Sequence, residues 1–140
     1  KNYSKNNKLV ISSQGYAYIE SEYNSLNQSI KETYYDKDNK PMEVGGYVST
    51  TKEYDTNGNV ILQRYLDADG KDVTFDDGHS RIRKSYNEDK KPIRTTYLNA
   101  SGKPVTITAG YTSLTDQYDE NGNVISESYY DSENNIVSND

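Results

Sequence analysis

His79 is the one histidine in the chain, and a single imidazole among 22 carboxylates invites a reading as a general base. It stands, however, where Tyr16, Tyr47 and Tyr111 stand in matching segments, so it reads equally as an aromatic substituted at a structural position. Paired carboxylates could flank a glycosidic bond, but with so many acids close pairs arise by chance. Asp67, Asp69 and Asp72 alternate as calcium ligands often do. The next matching segment offers Asn99, Ser101 and Pro104 instead, which favours turn chemistry over a metal. There is no cysteine, hence no thiolate nucleophile or thiolate metal site. No Gly-x-Ser-x-Gly elbow, phosphate-cradling loop or histidine metal motif appears. The residues therefore predict no catalytic group, no metal and no cofactor. Lys8, Lys40, Lys71 and Lys103 recur at one place, either as an anion-binding ladder or as charges that keep a sheet edge from pairing. The functional reading that remains is aromatic. Rings at Tyr16, Tyr47, His79 and Tyr111 could stack on successive sugars, each contact weak and the sum useful.

These residues are positioned by a repeat. Ile30, Ile61, Ile93 and Ile125 recur about every 32 residues, each followed by a tyrosine four positions on, Tyr34, Tyr65, Tyr97 and Tyr129. Tyr23, Tyr54, Tyr86 and Tyr118 keep the same steps. The units run at about residues 3–34, 35–65, 66–97 and 98–129, with a partial copy at 130–140, in a single repeat domain. Fixed-period self-similarity outranks any local motif, because each unit buries its apolar face against its neighbours.

Two kinds of turn punctuate each unit. The first reads Asp55-Thr56-Asn57-Gly58-Asn59 and Asp119-Glu120-Asn121-Gly122-Asn123, a strong hairpin signal. Asn27 and Lys90 replace the glycine in the other copies, and Lys90 is expected either to be strained or to use another turn. The second turn places Asn7, Asn39, Gly70, Gly102 and Asn134 at a left-handed slot. Between turns, Ile61, Gln63 and Tyr65 alternate onto one strand face, as do Ile82, Lys84 and Tyr86. The pairs Gly15-Tyr16, Gly46-Tyr47, Gly78-His79 and Gly110-Tyr111 are expected to face the other way. No stretch has helical periodicity. The pattern predicts an all-β chain of tandem antiparallel hairpins in an elongated single layer or solenoid-like array. It also predicts a buried Ile93, whose change to alanine would cost roughly 2–5 kcal/mol, and a cheaper Ile30→Ala near the end of the array.

Composition bounds the partners. A net charge of −6 argues against nucleic acid, and no run is apolar enough for membrane insertion. Aliphatic residues are sparse, so the 15 tyrosines must supply core volume, with their hydroxyls at wet edges.

The Tyr-Asp-x-x-Gly-Asn turns at Tyr54–Asn59 and Tyr118–Asn123 resemble the tyrosine-aspartate repeats of bacterial Rhs and YD-repeat proteins. Tyr65–Lys71 and Tyr129–Asp131 also resemble the aromatic cell-wall and glucan-binding repeats of Gram-positive surface proteins. The period here is longer than the roughly twenty residues usual in either, and there is no tryptophan. The resemblance implies a secreted or surface-exposed bacterial protein with a non-catalytic repeat region, and the chain, which starts at Lys1, is expected to be a segment of a longer one. The expected function is binding of a cell-wall or extracellular glycan, or of another protein, through the repeated aromatic positions. The competing expectation is a structural spacer that presents another domain.

Overall fold

The computed structural model describes residues 4–9 as backbone and residues 18–137 with their side chains. Ten strands follow one another: β1 (Ser4–Leu9), β2 (Tyr18–Tyr23), β3 (Ser29–Tyr35), β4 (Ser49–Tyr54), β5 (Val60–Leu66), β6 (Arg81–Tyr86), β7 (Pro92–Leu98), β8 (Ser113–Tyr118), β9 (Val124–Tyr130) and β10 (Ile136–Val137). Their order in the sheet is their order in the chain, and the described residues contain no helix. The all-β array of consecutive hairpins is thus as expected. The sheet is open, since among the described residues no pairing returns β10 to β1. Contacts divide the chain into two compact units. One comprises residues up to Glu53 with Gln63–Val73, the other Tyr54–Leu62 with residues from Thr74 onward.

One turn geometry serves both turn classes of the repeat. It starts at Asn24, Asp36, Asp55, Asp67, Asn87, Asn99, Asp119 and Asp131. Each of these donates its backbone N–H to the carbonyl four residues ahead and accepts, at its own carbonyl, the N–H three residues ahead. Its side-chain Oδ1 accepts two further backbone N–H groups, from the residues two and four ahead. This is a type I turn closed by a left-handed residue, which ends in a bulge on the returning strand. The ladder shifts register at Tyr23, Tyr86 and Tyr118 accordingly. The amide bonds, that from Asn59 or Asn123 foremost, hold the Asp55 and Asp119 carboxyls below the usual range. An acceptor is needed at the first position and positive φ at the fourth, so the repeat spells Asp or Asn, then Gly or Asn.

Asn7 departs from this scheme: it lies within β1, opposite Glu20, and so does not occupy a turn. The left-handed slots that do form have φ of 65° at Asn27, 64° at Asn39 and 67° at Asn134, with glycine at Gly58, Gly70, Gly102 and Gly122. Lys90, at φ 65°, is the exception expected from sequence. Its Cβ meets the steric penalty that glycine avoids, so Lys90→Gly should stabilise the fold by about 1 kcal/mol. Urea melts would show a higher midpoint at constant slope, and an unchanged midpoint would count against strain at this residue.

A third hairpin, at the Gly-aromatic pair, was not legible as a turn. Val44 and Tyr47 pair across Gly45 and Gly46, both at positive φ (67° and 97°), the two-residue primed turn. The later copies use the bulged turn instead: Phe75 N–H donates to His79 O at 2.9 Å, and Ile107 N–H to Tyr111 O at 3.0 Å.

Among the described residues the buried aliphatic side chains are Val44, Val48 and Leu66 in one unit and Leu98 and Ile107 in the other. Thr33 and Ser49, both buried, share a hydroxyl hydrogen bond at 3.0 Å, and the buried hydroxyls of Ser80 and Thr112 pair with the exposed Thr74 and Thr106 at 2.9 and 3.2 Å. The expectation of a buried isoleucine series needs correcting. Ile93 is 36% exposed and Ile125 63%. Adjacent hairpins pair over only three residues, Arg94–Thr96 with Ser113–Thr115, so the strand ends that bear the isoleucines are splayed. There the Tyr23-type series bridges the gap through its hydroxyls. Tyr86 donates to Val60 O at 2.6 Å and Tyr118 to Pro92 O at 2.5 Å.

Candidate functional site

Within each compact unit the Tyr34-type tyrosines pack against the aromatics of the Gly-aromatic pairs. In the first unit Tyr47 sits between Tyr34, at 6.0 Å between ring centroids, and Tyr65, at 5.0 Å. In the second, His79 lies 5.0 Å from Phe75 and 5.4 Å from Tyr97, and Tyr111 lies 6.2 Å from Tyr97 and 4.7 Å from Tyr129. The two sets were expected on opposite faces; they share one, because the third hairpin folds its aromatic back between the strand tyrosines. Tyr47 and Tyr111 are half-buried, and Tyr16 lies outside the described residues. Burial foremost, then the neighbouring tyrosine, pushes the Tyr65 and Tyr97 phenols up. A second stack, Tyr18 on Tyr35 at 5.0 Å, has no counterpart in the repeat pattern and was missed.

His79 is held within this row. Its Nδ1 lies 2.5 Å from Asp77 Oδ1, its side chain is 14% exposed, and its ring stacks on Phe75. Burial raises the Asp77 carboxyl, but the hydrogen bonds and charge of His79 outweigh it and leave the group below its ordinary value. This is a histidine clamped by one carboxylate in an aromatic row. Among the described residues no group of three or more His, Asp or Glu could hold a metal ion. Two of the three calcium candidates are committed elsewhere. Asp67 Oδ1 accepts the turn amides of Asp69 and Lys71, and Asp72 receives Arg64.

Asp116 and Glu127 face each other across β8 and β9 on the aromatic side. The two carboxyls act on each other across the paired strands. Burial, followed by the hydrogen bond and charge of Glu127, pushes Asp116 up to about 6, while the Tyr129 hydroxyl draws Glu127 down. The folded state thus holds a proton on Asp116 that the unfolded chain releases above its ordinary value of 3.8. Stability should therefore fall as pH rises from about 4 to about 6. At this half-exposed site the loss should be about 1 kcal/mol after solvent screening. Asp116→Asn should flatten the pH profile of the melting temperature across that window. A variant profile as steep as that of the parent would rule out Asp116 as the source.

The lysines of the ladder, Lys40, Lys71 and Lys103, are exposed at the fifth position of their turns, whereas Lys8 lies in β1 opposite Ile19. No helix among the described residues is long and apolar enough to cross a membrane. No known protein family matches this chain, and no curated protein is significantly similar to it. What defines the chain is therefore its own geometry, β-hairpin repeats in which each compact unit carries a cluster of packed aromatic rings.

Proposed function

We propose that the chain is a non-enzymatic, surface-exposed repeat module of a bacterial protein that binds an extracellular or cell-wall glycan through its aromatic row. The supporting observation is that each compact unit carries half-buried rings packed side by side: Tyr47 between Tyr34 and Tyr65 in one, and in the other His79 between Phe75 and Tyr97 and Tyr111 between Tyr97 and Tyr129. Such rings are rigid and present both an apolar surface and a hydroxyl, which suits the face of a pyranose. Repetition would convert weak single contacts into useful avidity. The structural-spacer reading is supported by a different observation: the rings also pack on one another, which stiffens the array without any ligand.

A glycan array and a cell-wall pull-down, comparing the parent with a Tyr16→Leu, Tyr47→Leu, Tyr111→Leu variant, separate the two. Leucine keeps apolar volume and removes the ring. Loss of retention by about ten-fold or more, measured well below the melting temperatures of both proteins, is the expected result. Equal retention of the two proteins would leave the spacer in front.

A further inference from the structure

The face opposite the aromatic row carries a cleft in each unit, at the same place in the repeat. In the second unit it encloses about 380 Å³ and is lined by Arg83, Arg94, Thr96, Thr112, Ser113 and Asn134. In the first it encloses about 280 Å³, with Glu20, Lys31, Thr33, Val48, Ser49 and Gly70 at the corresponding positions. The repeat dictates the shape of the cleft and leaves its charge free. Glu20 in one copy is Arg83 in the other.

We propose that the cleft of the second unit binds a carboxylate-bearing saccharide, a uronate, through Arg83 and Arg94. Arg94 is held in place by neutral groups alone. Its Nη2 donates to Ser113 Oγ at 2.9 Å and to Asn134 Oδ1 at 2.6 Å, and its guanidinium lies 5.1 Å over the Tyr130 ring. Ser113 is only 2% exposed, so this anchor belongs to the packed sheet. Arg83 stands on the neighbouring strand opposite Thr96 and is exposed. Among the described residues, neither arginine has a carboxylate within salt-bridge distance. Asp131 is the acid at the rim, and its Oδ1 accepts the turn amides of Glu133 and Asn135.

Two uncompensated guanidiniums in a chain of net charge −6 concentrate positive potential in one place. Their planar donor forks match a carboxylate. The Thr96 hydroxyl and the Asn134 amide beside them suit the hydroxyls of a sugar ring, and the cleft falls within the ~300–1,000 Å³ range of small-ligand sites. A mostly polar lining fits a hydroxylated ring better than an apolar peptide side chain. The site does not rest on the aromatic row, from which it is separated by the sheet.

The full chain, titrated calorimetrically with trigalacturonate, its neutral methyl ester and hexaglutamate, tests this. The parent should bind trigalacturonate at millimolar concentration or below, and the ester and the peptide more weakly. Arg83→Gln and Arg83→Glu, the latter installing the residue of the first unit, should weaken binding by roughly ten- to a hundred-fold. Their melting temperatures should not change, because Arg83 is exposed. Equal affinity of parent and Arg83→Gln, no heat of binding from the parent, or equal binding of the ester or of hexaglutamate would each overturn the proposal. The aromatic variants leave this cleft intact, so the two readings fail separately.

Discussion

Leu98→Ala is expected to lower the unfolding free energy by about 3 kcal/mol, and Ile93→Ala, five residues earlier in the same strand, by less than about 1 kcal/mol. Leu98 is 2% exposed, and its backbone is pinned on both sides: it pairs with Arg81, bridges to Pro104, and accepts the Ser80 N–H at 2.8 Å. The surrounding chain cannot collapse into the space the side chain leaves, so both the transfer and the cavity costs are incurred. Ile93 is 36% exposed on a splayed strand end, where truncation removes little buried surface. Denaturant melts of the two variants decide the matter. Equal losses would mean that the isoleucine series, conspicuous as it is in the repeat, is core after all.

The second large effect concerns a pair that breaks the repeat. Arg64 donates through Nε and Nη2 to Asp72 Oδ1, at 3.1 and 2.6 Å, and the Asp72 side chain is only 4% exposed. The corresponding residues in the adjoining copies are Thr33 with Pro41 and Thr96 with Pro104, which are neutral. A buried ion pair contributes little net stability, because desolvation cancels most of the attraction, yet removing one partner leaves a costly charge. Arg64→Ala should therefore cost about 3 kcal/mol. The double change Arg64→Thr with Asp72→Pro, which restores the pattern of the sibling copies, should come within about 1 kcal/mol of the parent. Thermal melts of the single and double variants form the cycle. A double variant as unstable as the single one would show that the pair supplies stability of its own.

Both predictions turn on features that the repeat pattern reads differently from the folded chain. Turn chemistry was legible residue by residue. A left-handed fourth position admits few side chains, so Gly58, Gly70 and Asn39 announce it and Lys90 stands out as the strained copy. The hairpins followed, because period-two alternation between such turns admits little else. The third hairpin was obscured because Gly46-Tyr47 also reads as a strand fragment, and its partner Val44 belongs to no alternating run. The aromatic row was half legible. Its members were named from recurrence, but their face was assigned by strand alternation, which stops applying once the chain turns between them. The arginine cleft was not legible at all. Arg83 and Arg94 are neighbours only through the register of β6 on β7, and nothing in their spacing signals it.

The sequence by itself determined the local conformations: where each turn lies, which residue takes positive φ, and that the strands between are antiparallel. These are decided by sterics and hydrogen bonds within a few residues, which each side chain carries with it. Only the tertiary structure decided which periodic residues are core, which aromatics share a face, and which charges meet across strands. Those outcomes depend on how far neighbouring hairpins stay paired before they splay, and on where an excursion folds back. A three-residue pairing between Arg94–Thr96 and Ser113–Thr115 buries Thr96 and Ser113 while leaving Ile93 partly exposed, and no count of recurring residues contains that length.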